Sequence, residues 1–159
     1  MTLKRHLSYA QGYLELGLLA EAQAELERIT GPEAENTAVI AVRIAVLQEA
    51  EDWPRLVVLA AKEVERAPND AAGWVTWAYA TRRAKSLAAA EAILLRAERL
   101  HPHEPTIQFN LGCYACLRGD LTAAQRRIDR AVALDPKFLH AAATDPDLVQ
   151  LREAGKPKR

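Results

Sequence analysis

The sequence predicts an all-α fold, a solenoid of about four helical hairpins, and three observations support this prediction. Half of the 159 residues are hydrophobic, which is enough to bury a continuous core in one domain. Ala and Leu dominate that apolar half, and both side chains lose little rotamer freedom in a helix. Apolar residues and prolines also recur with a period of 34 residues, which is typical of stacked helical hairpins.

The 34-residue period is visible when the sequence is aligned with itself without a gap. Residues at the same place in successive repeats form a column, and Pro68, Pro102 and Pro136 form the proline column. Five further columns hold mostly small or large apolar residues: Ala10, Ile44, Ala78 and Gly112; Leu19, Trp53, Leu87 and Leu121; Ala22, Leu56, Ala90 and Ala124; Leu26, Ala60, Leu94 and Ile128; and Ile29, Glu63, Ala97 and Ala131. Small residues in these columns allow two helices to approach closely, and large residues fill the space between them. Each proline separates one unit from the next because it cannot continue a helix.

Local signals place the individual helices. Asp70, Ser86 and Asp120 are good N-caps, and Gly17 and Gly119 suit tight corners between paired helices. The predicted helices lie near 3–16, 19–29, 37–50, 53–66, 71–84, 87–100, 105–117 and 121–134. The periodic pattern stops after Phe138. There, the run from Asp145 to Leu148 predicts a cap, a first-turn proline and a short helix that reaches about Glu153.

The period and its fixed offsets of small and large residues resemble the tetratricopeptide repeat (TPR), over about residues 3–138. This resemblance implies a right-handed superhelical solenoid of about four TPR helical hairpins with a short C-terminal capping helix. It implies a single TPR domain over residues 1–155, with repeats near 3–36, 37–70, 71–104 and 105–138, a C-terminal cap at 139–154 and a frayed basic tail at 155–159. The second unit departs from the family pattern, since Arg43, Ile44 and Glu63 stand where apolar or small residues are usual.

In the TPR family the first helices of successive hairpins line a concave groove that binds partners. Carried over by helix phase, the resemblance implies a partner-binding groove of Leu7, Gln11, Ala41, Ala45, Gln48, Val75, Tyr79, Arg82, Phe109, Asn110, Cys113 and Cys116. This set is mostly apolar, with Tyr79 and Phe109 as exposed anchors, and it suits an extended peptide or an amphipathic helix. The lysine–asparagine clamp for chaperone tails is absent, because Leu7 and Gln11 stand where it would start. A groove filled by the chain's own tail, or by a second copy, is an alternative.

The predicted function is therefore a protein–protein interaction scaffold, or an assembly or chaperone-like adaptor, whose partner is another protein. The sequence has no glycine-rich phosphate loop, HExxH motif or nucleophile elbow, so we expect no enzyme activity, no cofactor and no metal. Its 21 basic and 21 acidic residues give no net charge that would favour nucleic acid or membrane as a partner. The lack of a signal-peptide-like or membrane-spanning apolar run favours a cytoplasmic protein. The size of the chain and its apolar groove bear a general likeness to bacterial secretion chaperones of the TPR type, which implies a bacterial-like protein. Self-association stays open.

One alternative function belongs to a different class. Cys113 and Cys116 form a CxxC pair, which occurs in redox couples and as half of a zinc site, so the chain could be a redox- or metal-responsive protein. A redox pair usually lies at a helix N-terminus, whereas this pair falls in the middle of a predicted helix. Zinc would need two further ligands. Packing or groove lining is therefore the favoured interpretation of both cysteines.

Overall fold

The computed structural model describes residues 1–156 and divides the chain into two compact units, Met1–Ala60 and a second unit that begins at Ala61. The described residues form helices and no β-strand, which confirms the all-α prediction. The helices are α1 (Leu3–Glu15), α2 (Leu19–Glu27), α3 (Thr37–Glu49), α4 (Trp53–Arg66), α5 (Ala71–Ala84), α6 (Leu87–Leu100), α7 (Pro105–Leu117), α8 (Leu121–Leu134), α9 (Phe138–Thr144) and α10 (Val149–Ala154), with 3₁₀ turns at Gly31–Glu35 and Pro146–Leu148. No described helix combines the length and apolar character needed to cross a membrane.

In the first unit, α1 and α2 form a hairpin and α3 packs against both of them. Ala10 and Ala22 are fully buried at the contact between α1 and α2, as the repeat columns predict. Arg43 departs from the repeat pattern for a reason that the structure shows. Its guanidinium donates hydrogen bonds to the carbonyls of Leu26 (3.1 Å) and Ile29 (3.2 Å), so it satisfies acceptors at the C-terminal end of α2.

In the second unit, α5 pairs with α6, and α7 pairs with α8. Ala78, Ala90 and Ala124 are fully buried at these contacts. The paired helices also approach closely at Gly112, where an added Cβ would lie only 2.7 Å from Cδ1 of Ile128. A larger residue at position 112 would require the Ile128 side chain to move, which agrees with the small residue predicted there.

The predicted caps and corners are also present. The side chains of Asp70, Ser86 and Asp120 accept hydrogen bonds from backbone N–H groups two or three residues further along the chain. Gly17 (φ +72°) and Gly119 (φ +84°) adopt the left-handed conformation that glycine favours at a helix corner. Helix bounds therefore follow the sequence signals closely, and the largest difference is α2, which ends at Glu27 rather than near residue 29.

The chain after α8 forms α9, the 3₁₀ turn and α10. Asp145 caps the turn as predicted, since its carboxylate accepts a hydrogen bond of 2.8 Å from the backbone N–H of Asp147. Residues 157–159 of the predicted basic tail lie outside the described residues. The assignment of residues 1–155 to a single domain stays a prediction.

Candidate functional site

The predicted groove residues fall into two sets, one in each unit. The α1/α3 face consists of Leu7, Gln11, Ala41, Ala45 and Gln48. The α5/α7 face consists of Val75, Tyr79, Arg82, Phe109, Asn110, Cys113 and Cys116. The α1/α3 face belongs to the first compact unit and the α5/α7 face to the second.

The α1/α3 face is open to solvent. Gln11, Ala41 and Gln48 are exposed, and Leu7 and Ala45 are half-buried. Leu7 packs against the core of the first unit. The small side chains of α3, with Gln11 of α1 and Gln48 of α3, leave a surface with two amide groups and little bulk.

The α5/α7 face is largely covered. Phe109 is 5% exposed, Cys113 is 3% exposed and Cys116 is fully buried, while Tyr79 is 41% exposed. The expectation that Phe109 is a solvent-exposed anchor is therefore wrong. Its ring lies 5.1 Å from the ring of Phe138 on α9, at an interplanar angle of 44°, which is a favourable tilted arrangement.

The cover over this face is the stretch of residues 145–154, which we call the C-terminal segment. Leu148 of this segment is 1% exposed and joins the core cluster that contains Phe109 and Cys113. Asp147 accepts two hydrogen bonds from Arg82, of 2.6 and 3.1 Å, in a bidentate ion pair. Arg82 is one of the predicted groove residues, and the structure shows that its own chain supplies a carboxylate to it.

Arg82 also links the two helices of the face. Its guanidinium lies 5.6 Å from the centre of the Tyr114 ring on α7. The hydrogen bonds to Asp147 raise the pKa of Arg82 although partial burial acts in the opposite direction. Burial raises the pKa of Tyr114 to about 12, so the phenol is neutral at physiological pH. The face thus holds one fixed positive charge among neutral groups.

The cysteine pair does not have the surroundings of a reactive site. Both thiols are unpaired and buried. Burial, reinforced by the negative charges of Asp145 and Asp147, raises the pKa of Cys113 well above its ordinary value. A thiol with a raised pKa stays protonated at neutral pH, and the protonated form is a poor nucleophile. This environment does not favour the redox interpretation.

The same residues resemble a metal site only in their spacing. Cys113 Sγ and carboxylate oxygens of Asp145 and Asp147 lie within 4.8 Å of one another. However, Arg82 donates to both oxygens of Asp147, and Asp145 uses one oxygen as a helix-type cap. A cation would have to displace the guanidinium, so the contacts present describe an ion pair rather than a set of ligands.

The first unit also has a cavity of about 160 Å³, away from the predicted site residues. It lies between α2, α3 and α4, and its lining residues are Gln23, Leu26, Glu27, Arg43, Val46, Leu47, Arg55 and Leu59. None of the predicted groove residues lines it.

The architecture matches solved structures at low sequence identity. YrrB, a TPR protein described as having an unusual peptide-binding site, superposes with a TM-score of 0.68 at 17% identity, over 90% of this chain and 75% of YrrB. The fold is that of a TPR protein. TTC0263, a TPR protein of Thermus thermophilus, matches with a TM-score of 0.65 at 18% identity, over 96% of this chain and 90% of its own. MamA from AMB-1 matches with a TM-score of 0.63 at 17% identity, over 94% and 91%.

Sequence comparison gives no further relatives. No protein-family model matches the chain, and no curated protein matches it. The TPR fold therefore rests on the structural likeness and on the 34-residue period in the chain itself.

Four contact residues of the α5/α7 face are not among the predicted site residues: Tyr114, Asp145, Asp147 and Leu148. One signal for them is present in the sequence, since Arg82 is the only charged residue of the predicted groove and a carboxylate is a favourable partner for it. Asp147, however, directly follows the N-cap and first-turn proline Asp145-Pro146, so the local sequence indicates the start of a helix rather than a partner for Arg82. Because 65 residues separate Arg82 from Asp147, no local pattern connects them.

Proposed function

We propose that this chain is a protein–protein interaction scaffold or adaptor, which binds a peptide or a helix of a partner protein through the first helices of its hairpins. The observation that carries the proposal is the way the α5/α7 face holds the C-terminal segment. A short piece of chain is fixed there by one buried leucine and one bidentate ion pair, which are the kinds of contact that fix a bound peptide. The TPR fold, and the peptide-binding site named for YrrB, agree with this proposal.

The α1/α3 face supports the same proposal from the first unit. Its exposed small and amide side chains would let a partner backbone approach α3 closely, and the amides of Gln11 and Gln48 offer donors and acceptors. An adaptor of this type needs no catalytic group, and its affinity depends on a few anchors rather than on the total area of contact.

A selection of random peptides displayed on phage, with the immobilised full chain as bait, tests the proposal. We expect enriched peptides whose binding is weakened by Ala41→Glu or by Tyr79→Ala. Two variants at exposed positions of second helices serve as controls: Val58→Glu on α4 introduces the same charge, and Leu95→Ala on α6 truncates a large side chain. Equal weakening by the face variants and their controls, or enrichment of no peptide, would contradict the proposal.

A further inference from the structure

The attachment of the C-terminal segment is narrow. Neither α9 nor α10 has a fully buried residue, and Leu148 is the single buried side chain of the described residues that follow α8. By contrast, α8 buries a stripe of Ala124, Ile128 and Ala131. The segment instead depends on Leu148, the Asp147 ion pair and partial burial of Leu151.

Hydrogen bonds within the C-terminal part of the chain stabilise the C-terminal segment. Arg152 on α10 donates hydrogen bonds to the carbonyls of Ala142 (3.1 Å) and Asp145 (2.7 Å). The Asp145 cap fixes the backbone immediately before Asp147 and Leu148. These contacts lie inside the C-terminal part of the chain, so they present the acidic and the apolar side chain together without adding attachment to α5 or α7.

The surface beneath the segment is complementary to this pair of side chains. Arg82 supplies a fixed cation for a carboxylate, and the apolar cluster around Phe109 and Cys113 accepts the leucine. The guanidinium also lies over the ring of Tyr114. A peptide with an aspartate or glutamate directly followed by leucine would make the same two contacts.

We infer that the α5/α7 face is a binding site for partner peptides that carry an acidic residue followed by leucine, and that residues 145–154 occupy it as an intramolecular competitor which the partner displaces. The inference rests on the proposed function, since it names the class of partner for one of its two faces. Because the competitor is part of the chain, the apparent affinity for a partner equals the affinity of the free face multiplied by the fraction of molecules in which the face is free.

The test uses a fluorescently labelled peptide with the sequence of residues 144–154, added to the full chain. In the opened variant, Asp147→Asn with Leu148→Ala, we expect this peptide to bind at least about tenfold more tightly than it binds the wild type. Adding Arg82→Gln to the opened variant should abolish the gain. The matched control is Leu139→Ala with Glu153→Gln, which makes the same two chemical changes at exposed positions and should bind like the wild type.

Peptide affinity that is the same for the opened variant and the wild type, or that survives Arg82→Gln, would overturn the inference. If circular dichroism shows that the opened variant does not fold, hydrogen exchange of the wild type decides instead. Excess peptide should then speed exchange of the α10 amides and leave those of α8 unchanged. Exchange of α10 that is unaffected by peptide would mean that the segment is a fixed part of the fold.

The failure of this inference can be told apart from failure of the proposed function. If Ala41→Glu weakens the binding of the selected peptides, that loss of binding concerns the first unit and does not involve the C-terminal segment. If that loss occurs while the α5/α7 face never releases its segment, the adaptor function stands and only the inference falls.

Discussion

The first helices of the two units carry equivalent repeat positions but expose them differently. Ala41 and Phe109 lie two repeat lengths apart, as do Ala45 and Cys113. Ala41 is exposed and Ala45 half-buried, whereas Phe109 and Cys113 are 5% and 3% exposed. The difference arises because the C-terminal segment and α9 lie over α7. A repeat column thus predicts the side of a helix that faces its partner in the hairpin, and it does not predict what covers the opposite side.

The two units also use different residues for the polar contact between the paired helices of a hairpin. His6 contacts Glu25 at 2.7 Å between α1 and α2, and Arg127 contacts Gln108 at 2.9 Å between α8 and α7. These pairs occupy equivalent positions, three repeat lengths apart. In both places a polar side chain buried between paired helices finds a partner, as buried polar groups generally must. In the second unit Glu98 joins the pair and makes a three-membered network.

The largest expected effect tests the burial of the two faces directly. Phe109→Ala should lower the free energy of unfolding by about 3–5 kcal/mol, because it removes a buried ring from the core. Leu7→Ala, at the equivalent but only half-buried position of the α1/α3 face, should cost markedly less. Urea unfolding followed by circular dichroism measures both losses. Equal losses would mean that the two faces are equally packed and would contradict the difference in burial between them.

Leu148→Ala tests whether the cover itself stabilises the second unit. We expect a loss of about 2–5 kcal/mol, because the side chain is 1% exposed within the core cluster. Leu139→Ala, at a side chain that is 66% exposed on α9, should change stability by no more than about 0.5 kcal/mol. Melting temperatures of the two variants give the difference, and similar values would show that Leu148 is not the anchor.

Arg82→Gln should destabilise the chain by roughly 1–3 kcal/mol, because the half-buried carboxylate of Asp147 loses both hydrogen bonds. Gln48→Ala, at the equivalent position in α3, removes an exposed side chain and should be nearly neutral. Adding Asp147→Asn to Arg82→Gln should recover part of the loss, since no buried charge then lacks a partner. No recovery in this double-mutant cycle would show that the two side chains do not act together.

The smallest effect concerns the polar network and depends on pH. Partial burial tends to raise the pKa of Glu98, but hydrogen bonds from Arg127 and Gln108, with the attraction of Arg127 and Arg130, outweigh it and lower the pKa below its ordinary value of 4.5. The ionised form therefore stabilises the fold, and this contribution is present above pH 4.5 and is lost as pH falls through the lowered pKa. Glu98→Gln should cost about 1 kcal/mol at neutral pH.

Melting curves of Glu98→Gln and the wild type, recorded from neutral pH downward, check this prediction. The two melting temperatures should converge as the solution is acidified below the ordinary pKa of a carboxyl group. A difference that stays constant with pH would mean that the charge of Glu98 is not what stabilises α6 against α7 and α8.

The helices and their pairing into hairpins could be predicted from the sequence alone. Period, caps and corner glycines act over a few residues, so Asp70, Ser86 and Gly119 could be assigned from their neighbours. The buried columns, such as Ala22, Leu56, Ala90 and Ala124, follow from the same period, because the two helices of a hairpin must approach closely wherever the repeat recurs.

Which groove positions are free could be learned only from the packed molecule. Phe109 has the helix phase of a groove residue, and nothing near it in the sequence indicates that Phe138 lies against its ring. The pairing of Arg82 with Asp147 joins residues 65 positions apart, outside the repeat and outside the range of any cap. Such contacts depend on where the chain turns after its last hairpin. That path is set by the packing of Leu148 into a core assembled from several helices, and not by the propensities of its own residues.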